Sequence, residues 1–407
     1  MNQIRESIVI ALQAIWANKL RSFMTVLGNI VAVTSIVAVV SLIQGMNAMV
    51  TDAIVTDIGA DSFTIQRRGL VRSEEDEERT RNNPLLTMDE ARAIREFSDR
   101  ISSVVGQAGR GATVSYGATE MENISIQGVT SEYVNFSNFN AERGRLMSPI
   151  EVERGRPVAV IGWDVADRLF GETNPLDKQI RIAGIQFRVV GVSKRRGAVF
   201  GNSQDGFAVI PLGAYMRLFG ARQSLTLMVK PSSPDDTQAA MDDATVALRV
   251  SRRLKPAQPD NFGMFTSDTI LGIYAQATNG IFAVLVGIVA LSLVVGGIVI
   301  MNIMLMVVSE RTREIGLRKA LGARRADIMS QVLTESITLS TFGGMVGIFL
   351  GFLFAMGIAA ATPLPAKLEL WSIALGVGMT GAVGLFFGAY PASRAAALDP
   401  IEALRRE

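Results

Sequence analysis

Long runs without a charged residue separate the chain into apolar and polar parts. These runs cover residues 22–51, 269–309, 336–366 and 370–393. A helix that crosses a bilayer needs about 20 consecutive, mainly apolar residues, so each run is long enough to span a membrane. One such run could be a buried helix of a soluble protein, but four in one chain argue against that alternative. The pattern predicts four transmembrane helices: residues 22–51, a part of 269–309, 336–362 and 370–393.

The second run is too long for a single crossing. As a continuous helix it would extend about 60 Å, roughly twice the thickness of the hydrocarbon core. Its first part, through Asn279, is only weakly apolar because it includes Tyr274 and Gln276. We therefore expect a stalk outside the membrane that leads into a span beginning near Gly280.

Lysine and arginine residues are distributed unequally among the segments that flank the spans. They are frequent before the first run, in residues 310–335 and in the tail 394–407, whereas the turn 363–369 has one lysine. Positively charged loops tend to stay on the cytoplasmic side. Both termini and residues 310–335 are therefore predicted to be cytoplasmic, and residues 52–268 and 363–369 to face outward, in a multi-pass protein of the inner membrane.

The first 21 residues carry apolar side chains at helical spacing, among them Ile4, Ile8 and Leu12. This periodicity predicts an amphipathic helix along the cytoplasmic membrane face, or alternatively the cytoplasmic start of the first span. The first apolar run begins too late and is too long for a cleaved signal peptide, so we expect an uncleaved anchor.

The segment 52–268 has a different pattern, in which short strands and helices are mixed without strict alternation. Strands are predicted at residues 62–66, 124–129, 158–161, 180–182, 187–192, 207–210 and 225–229, and helices at 88–97, 163–170, 211–218 and 237–252. This mixture indicates an α+β domain, large enough for two lobes. The predicted fold is thus an integral membrane α-helical protein with four transmembrane helices and a large α+β extracytoplasmic domain between the first two.

Residues 67–84 are the exception within this segment. They contain the acidic run 74–78, flanked by arginines, and almost no apolar residue. Such a stretch cannot contribute to a core, so it is predicted to be a solvated loop. The alternative is an acidic patch that binds a cation or a partner.

Composition excludes several kinds of chemistry. The 407 residues include no cysteine and no histidine, which rules out disulfides, Cys/His zinc sites and Ser–His–Asp catalysis. The net charge of +2 is too small to indicate a basic surface that binds nucleic acid. No P-loop motif occurs, because the chain has no Gly-Lys dipeptide. Neither a catalytic nor a metal site is predicted; an outward-facing enzyme using Glu120, Glu122 or Asp205 is the remaining catalytic alternative.

The spans contain stripes of glycine but no ionisable residue in their cores. Gly343, Gly347 and Gly351 lie four residues apart in the third span, and Gly384 and Gly388 repeat this spacing in the fourth. Small residues on one face let helices approach closely, so these five are predicted to pack helices within the protomer or across a dimer. Asn29 and Asn302 are the main polar residues in the spans. We expect them to form interhelical hydrogen bonds rather than a transport site.

The loop 310–335 carries alternating charges around the apolar residues Ile315, Leu317, Ala320 and Leu321. This pattern predicts a short amphipathic helix that ends near Gly322. A dense mixture of Glu and Arg is typical of a docking surface for a soluble partner. The candidate contact residues are Glu310, Arg311, Thr312, Arg313, Glu314, Ile315, Gly316, Arg318, Lys319, Ala320, Gly322, Ala323 and Arg324.

Several motifs resemble those of the permeases of MacB/FtsX-type ABC transporters. They are Gly296-Gly-Ile-Val-Ile-Met-Asn-Ile-Met-Leu305, Glu310-Arg-Thr-Arg-Glu-Ile-Gly-Leu-Arg-Lys-Ala-Leu-Gly-Ala323, Asn18-Lys-Leu-Arg-Ser22 with Leu27-Gly28, Gly388-Ala-Tyr-Pro-Ala-Ser-Arg-Ala-Ala396 and Asp399-Pro-Ile-Glu-Ala-Leu-Arg405. The outward segment from Gly144-Arg145 through Val190-Gly191 to Ile210-Pro211-Leu212 resembles the periplasmic domain of that family. The similarity covers almost the whole chain.

The resemblance implies a function. Because the chain begins at the amphipathic helix, it implies a separate ATPase subunit that binds ATP and Mg, with no cofactor on this chain. It further implies a permease dimer in the lipid membrane, whose helix Glu310–Ala323 moves when the ATPases close, so that motion passes to the outward domains by mechanotransmission. A periplasmic adaptor and an outer-membrane channel are further expected partners, and nucleic acid is not. Hydrophobic or amphipathic compounds or peptides are the expected cargo.

Two alternatives share this architecture. One is an FtsX-like regulator of extracytoplasmic cell-wall hydrolases, which exports nothing; the other is a permease that releases lipoproteins. The outward domains of FtsX-like members are generally smaller than residues 52–268, which favours the exporter.

Overall fold

The computed structural model describes residues 19–59, 61–70, 73–136, 138–199, 201–367 and 369–405. The predicted amphipathic helix over residues 1–21 lies outside them, except for its last three residues, which belong to the first long helix. The chain divides into two compact units, a helical unit formed by residues 1–49 and 276–407 and an α+β unit formed by residues 50–275.

The α-helices are α1 (Lys19–Ile58), α2 (Glu74–Arg81), α3 (Met88–Phe97), α4 (Pro149–Glu153), α5 (Trp163–Phe170), α6 (Leu212–Phe219), α7 (Thr237–Ser251), α8 (Ser267–Glu310), α9 (Thr312–Ala320), α10 (Arg325–Ala361), α11 (Leu370–Ala397) and α12 (Pro400–Arg405). The strands are β1 (Phe63–Gln66), β2 (Ile101–Tyr116), β3 (Thr119–Val129), β4 (Ala141–Gly144), β5 (Val158–Ile161), β6 (Gln179–Ile182), β7 (Ile185–Ser193), β8 (Ala198–Val199), β9 (Asn202–Ser203), β10 (Phe207–Pro211), β11 (Thr226–Pro231) and β12 (Gly263–Thr266).

Helices α1, α8, α10 and α11 are long and apolar enough to cross a membrane. The prediction of four transmembrane helices is therefore confirmed. The predicted stalk and the second span form one continuous helix, α8, so no break separates the weakly apolar first part from the span.

Close backbone approach holds the helical unit together. A Cβ atom added at Gly347 of α10 would lie 2.8 Å from Val33 Cβ of α1, and one at Gly351 would lie 2.9 Å from the carbonyl oxygen of Thr34. A Cβ atom added at Gly343 would lie closer still to its neighbour, a methyl group of Val26. On the fourth span, a Cβ at Gly384 or Gly388 would lie under 3.0 Å from atoms of α10. The two glycine stripes therefore face neighbouring spans, and a side chain at these positions would separate the helices.

Buried polar side chains join three of the spans. Asn29 of α1 donates from Nδ2 to the carbonyl oxygen of Ser340 at 3.0 Å and to its Oγ at 2.8 Å. The Ser340 hydroxyl in turn donates to the carbonyl oxygen of Thr380 in α11 at 2.6 Å, and Ser336 donates to the carbonyl oxygen of Gly384 at 2.9 Å. The interhelical hydrogen bond expected of Asn29 is thus present. In hydrocarbon such bonds and close packing replace the hydrophobic force between helices.

The first prediction concerns the glycine contact of α10 with α1. Gly347→Ala should lower the free energy of unfolding by about 1–3 kcal/mol, because the new methyl group overpacks against Val33. Gly357→Ala is the matched control on the same helix, since nothing lies within 4 Å of its added Cβ. It should be neutral or slightly stabilising, as alanine favours helix. Unfolding of the detergent-solubilised chain, followed by tryptophan fluorescence, measures both; equal effects would contradict this packing.

The α+β unit is built on one ten-stranded mixed sheet in the order β12-β1-β11-β2-β3-β10-β5-β7-β4, with β6 pairing β2 and β7. Pairs β3–β10 and β5–β7 are parallel, and the other pairs of this sheet are antiparallel. The short strands β8 and β9 form a separate hairpin. The expected α+β domain is confirmed, and ten of its twelve described strands form one continuous sheet.

Successive apolar side chains along a strand point to opposite faces of the sheet, so each face has its own hydrophobic core. On β5, for example, Ala159 and Ile161 belong to the larger hydrophobic cluster and Val158 and Val160 to the smaller. The larger cluster is covered by α3, α5, α6 and α7, and the smaller one by Tyr133, Phe136 and Met147. A single sheet therefore accounts for the size of the domain, because both of its faces are buried.

The acidic stretch within residues 67–84 is a helix rather than the predicted loop. Ser73 caps the N-terminus of α2, accepting from the backbone N–H of Asp76 at 3.2 Å. The acidic residues lie in the first turn, where they interact favourably with the helix dipole. No residue of α2 is buried, so it is solvated as expected. Among the described residues, no group of acidic side chains here or elsewhere is arranged to hold a metal ion.

A clamp formed by Arg145 and Glu151 fixes the start of α4. Gly144 has φ +78° and lies against β7, and the Arg145 N–H donates to the carbonyl oxygen of Val190 at 3.0 Å. The Arg145 guanidinium donates to both oxygens of Glu151, at 2.7 and 2.9 Å, and the Ser148 N–H adds a third bond at 2.9 Å. The bond from Arg145 is the main cause that lowers the pKa of Glu151 from 4.5 to about 2.

The second prediction follows from that lowered pKa. A carboxyl group whose pKa is lower in the folded than in the unfolded state contributes stability above pH 4.5, and this contribution is lost as the pH falls towards 2. The melting temperature of the full chain should therefore fall more steeply between about pH 5 and about pH 2.5 than that of Glu151→Gln. Glu153→Gln, at an exposed neighbouring position, should follow the parent protein. Parallel curves for the parent and Glu151→Gln would refute the clamp.

Candidate coupling surface

The predicted short helix between the second and third spans is present as α9. Thr312 donates to the carbonyl oxygen of Val308 at 3.1 Å, which ties the first turn of α9 to the end of α8. The helix ends at Ala320 with Leu321 as its C-cap, and Gly322 then adopts φ +101°, a conformation that favours glycine. The helix stop expected at Gly322 is thus where the sequence placed it.

One face of α9 is buried within the helical unit. Thr312, Ile315 and Gly316 are the buried residues of the helix. Ile315 packs in a hydrophobic cluster with Val308 of α8 and with residues of α10 and α11. A Cβ at Gly316 would lie 2.6 Å from Ala403 Cβ, so α12 packs directly on α9 at this position. These candidate residues hold the helix in place and do not face solvent.

Polar contacts attach α9 to its neighbours on either side. Arg311 lies 3.4 Å from a carboxylate oxygen of Glu335. Arg318 donates to Gln331 of α10 at 2.7 Å and to Glu314 at 2.6 Å. Together these side chains line a narrow cleft between α8, α9 and α10. A displacement of α9 would therefore act directly on both of the spans that flank it.

Lys319 links α9 to the end of the last span. Its ammonium group donates to the carbonyl oxygen of Ala396 at 3.0 Å and also to that of Leu398. Both carbonyls lie at the C-terminus of α11, where a lysine satisfies free backbone acceptors and the negative end of the helix dipole. Lys319 is therefore an internal anchor rather than part of the exposed surface.

The opposite face of α9 is exposed. Its candidate residues from the sequence are Glu310, Arg313, Glu314, Ala320, Gly322 and Arg324, while Ala323 is partly buried against the neighbouring hydrophobic cluster. Leu317 and Leu321 were not among the candidate contact residues, yet they lie on this exposed face. Leu317 is 52% and Leu321 is 81% exposed. We call Arg313, Leu317, Leu321 and Arg324 the α9 outer face.

The four apolar residues that the sequence analysis grouped on this helix do not share one face. Ile315 is buried, whereas Leu317, Ala320 and Leu321 are exposed. Residues two positions apart point about 200° apart on a helix, so Ile315 and Leu317 could not share one face. The sequence spacing already indicates this exposed pair, because Leu317 and Leu321 are four residues apart and thus lie on the same side of the helix.

The three carboxylates of the catalytic alternative lie in different surroundings. Asp205 is buried, and its carboxylate accepts backbone N–H groups from Arg196 and Gly197, each at 2.9 Å. It therefore closes the base of the β8–β9 hairpin. Glu120 and Glu122 are exposed on β3.

These features define a membrane protein whose four spans carry an α+β domain between the first two and a partly exposed helix between the second and third. The profile of the MacB-like periplasmic core domain matches residues 22–247, and that of the FtsX-like permease C-terminal domain matches residues 286–400. The chain belongs to the family of permeases with a MacB-like periplasmic core domain. The resemblance found in the sequence motifs is confirmed.

Two relatives that are similar in sequence agree with this assignment. The chain is 34% identical over 397 residues to the macrolide export ATP-binding/permease protein MacB of Bdellovibrio bacteriovorus, covering 97% of this chain and 61% of that protein. The MacB protein of Neisseria meningitidis serogroup A is 33% identical over 410 residues, covering 100% and 62%. The chain thus spans about three fifths of the length of these relatives. The crystal structure of the periplasmic region of MacB from Actinobacillus actinomycetemcomitans is similar over 54% of this chain and 95% of its own, with a TM-score of 0.45 and 20% identity.

The third prediction concerns the anchoring of α9. Lys319→Met should release the tail helix α12, because the carbonyl oxygens at the end of α11 lose a charged donor worth about 1 kcal/mol. Hydrogen–deuterium exchange of the full chain should then show faster exchange in residues 398–405. Arg313→Met is the matched control, since it removes a charge from the exposed side of the same helix. Equal exchange in the two variants would show that Lys319 does not anchor the tail.

Proposed function

We propose that this chain is the permease subunit of an ATP-driven exporter and that α9 is the contact for its ATPase. The observation that carries this proposal is the division of α9 into two faces. One face is fixed to α8, α10 and α12, and the other presents two exposed leucines with arginines at their edges. Exposed apolar side chains surrounded by charged ones are typical of a docking site for another protein.

The ATPase is proposed to be a separate ATP-binding cassette subunit on the cytoplasmic side, where ATP and Mg are bound. This placement rests on the clustering of lysine and arginine in residues 310–335 and in the tail. The names of the relatives combine an ATP-binding function with a permease. In this proposal the permease itself contributes no hydrolytic residue.

ATP binding would act on the permease through differential contacts with α9. A partner that binds one position of α9 more tightly when loaded with ATP shifts the equilibrium towards that position. The Arg311–Glu335 and Arg318–Gln331 contacts then pass the displacement to α10. Helix α8, which starts within the α+β unit and ends at Glu310 in the helical unit, continues the path as one uninterrupted helix. This is mechanotransmission, in which the spans act as levers.

The cargo is proposed to be a hydrophobic or amphipathic compound or peptide that the outward domain handles. The hydroxyl groups of Ser336 and Ser340 and the amide nitrogen of Asn29 bond neighbouring helices, so these groups hold the spans together rather than line a polar conduit. The name of the relatives, macrolide export protein, is consistent with an amphipathic cargo. A second copy of the permease, a periplasmic adaptor and an outer-membrane channel complete the proposed assembly.

The fourth prediction tests the α9 outer face. Replacing Leu317 and Leu321 together by alanine should weaken the association with the ATPase subunit at least about tenfold, because the few residues at the centre of an interface that carry its binding energy each cost more than about 1 kcal/mol when truncated. Drug or peptide export by cells carrying this variant should fall in parallel. Co-purification with the ATPase and efflux assays measure the two effects.

The control is Val250→Ala, which truncates a residue of the α+β unit that is 66% exposed. It should change neither the association nor the export. If the double variant bound the ATPase as tightly as the parent, the docking role of α9 would be refuted. If deletion of the chain left efflux intact but released an extracytoplasmic hydrolase from control, the regulatory alternative would replace the exporter.

A further inference from the structure

The β8–β9 hairpin is an exposed arm of the α+β unit. It follows β7, which lies next to the β4 edge of the large sheet, and its two short strands form a separate sheet in the part of the chain that the structure describes. Lys194, Arg195, Ala198 and residues 201–204 are exposed. The hairpin therefore adds little to either hydrophobic core, and its side chains are available to other molecules.

Several backbone contacts hold the base of this arm. The Asp205 carboxylate accepts the N–H groups of Arg196 and Gly197, and the Gln204 N–H donates to the carbonyl oxygen of Gly197 at 2.9 Å. A Cβ atom added at Gly162 would collide with the carbonyl oxygen of Asp205, so the chain ahead of α5 packs directly on the base. An arm that is already ordered in this way loses little conformational freedom when a partner binds it.

Two consecutive arginines stack on aromatic rings at this base. The guanidinium carbon of Arg196 lies 4.8 Å from the ring centroid of Phe207, and its guanidinium also donates to the carbonyl oxygen of Asn138. The guanidinium carbon of Arg195 lies 4.4 Å from the ring centroid of Trp163, the first residue of α5. Arg196 thus fastens the arm to the sheet, whereas the exposed Arg195 presents its N–H groups to solvent in a fixed plane.

The positive charge of this arm is not neutralised within the protomer. Lys194 and Arg195 form no ion pair and no side-chain hydrogen bond with any residue that the structure describes. The neighbouring carboxylate on α5, that of Asp164, is already paired with Arg168 at 3.1 Å. The acidic helix α2 lies near β1, towards the opposite edge of the large sheet. The arm therefore offers two exposed cations to a ligand of opposite charge.

The side chains of the arm favour a carboxylate on a protein over other anions. A guanidinium held flat against an indole ring keeps its N–H groups in one plane, which suits two-point binding of a planar carboxylate. Arginine and tryptophan are both enriched where proteins contact one another. Val199, which is only partly buried, adds an apolar side chain to the same arm. Charged and apolar groups side by side are typical of a protein interface.

We propose that the β8–β9 hairpin is a docking arm for an acidic segment of an extracytoplasmic partner protein. Arg195 binds one carboxylate of that segment at two points, Lys194 binds a second carboxylate, and Val199 contacts an apolar side chain between them. Complementary charge of this kind speeds encounter and selects the partner. The arm belongs to the α+β unit, so this proposal does not depend on the ATPase contact proposed for α9.

An acidic peptide tests the arm. The probe is fluorescein-labelled Glu-Leu-Glu-Glu-Leu-Glu, and its binding to the detergent-solubilised full chain is followed by fluorescence anisotropy at low salt, where surface charges are least screened. The combined variant Lys194→Glu/Arg195→Glu should weaken binding at least about tenfold, because it places like charges opposite the peptide. Arg222→Glu, a charge reversal at an exposed position elsewhere in the same unit, should bind like the parent.

Two results of that experiment would overturn the proposal. One is equal binding of the peptide by the parent and by the combined variant, and the other is no binding by the parent. A peptide with glutamine in place of each glutamate should bind neither protein, and binding as tight as that of the acidic peptide would also count against a carboxylate site.

The two-point contact of Arg195 is tested by a variant that keeps the charge. Arg195→Lys retains a cation but loses the planar guanidinium, so it should weaken binding of the acidic peptide about 3- to 10-fold. Arg222→Lys is the matched control and should have no effect. Both variants should unfold at the temperature of the parent, which separates binding from folding. Binding by Arg195→Lys that equals the parent would refute the two-point contact.

Anionic lipid is another ligand that a basic surface attracts. The parent and the combined variant are therefore placed in nanodiscs of phosphatidylcholine and mixed with vesicles of phosphatidylglycerol. If the combined variant loses association with these vesicles but keeps its binding of the acidic peptide, lipid is the ligand and docking of a protein is rejected. Loss of peptide binding with unchanged association with vesicles is the result that we expect.

Discussion

Helices in a bilayer gain nothing from leaving lipid for one another, and this constraint explains the construction of the helical unit. What remains is close packing and hydrogen bonding. The glycines of α10 bring its backbone against α1 until a Cβ would be under 3.0 Å from Val33, and Gly28 and Gly296 do the same between α1 and α8. The Asn29–Ser340–Thr380 chain of hydrogen bonds then locks three spans at one level. A unit held in this way moves as a body, because its contacts leave little room for sliding.

The same constraint separates what the sequence could predict from what it could not. Charge-free runs and glycine spacing depend on properties of single helices, so the four spans and the glycine stripes followed directly from them. The partner of each stripe did not, since nothing in a run of residues says that Gly347 meets Val33 rather than a second protomer. The interhelical bond of Asn29 was expected in kind, but Ser340 as its acceptor became known only from the fold.

In the α+β unit, short sequence patterns predicted individual helices and strands. The arrangement of the sheet depends on pairing between strands that are distant in the sequence. Helix α3 was predicted with its bounds, because Thr87 and Glu90 form a capping box that the sequence displays. Strand β2 was missed, since Gly106, Gly109 and Gly111 interrupt its alternation, and only pairing with β3, β6 and β11 keeps it extended. Helix α2 was missed for the opposite reason: its stability is local, from the Ser73 cap and the charges near it, and it buries no residue.

Helices α9 and α8 each have one side that is attached to the protomer and one side that is exposed. A helix that transmits force must be attached on one side and accessible on the other, which requires that its apolar residues be divided between the sides. In α9, Ile315 and Gly316 serve the attachment, while Leu317 and Leu321 remain exposed. In α8, Gly296 and Gly297 serve the attachment, while Val284 and Leu291 remain exposed. The composition of a helix does not show this division, because apolar residues occur on both of its sides. The position of each apolar residue around the helix axis does show it. The surfaces of this chain that are available to partners are therefore those where apolar residues remain exposed in the protomer.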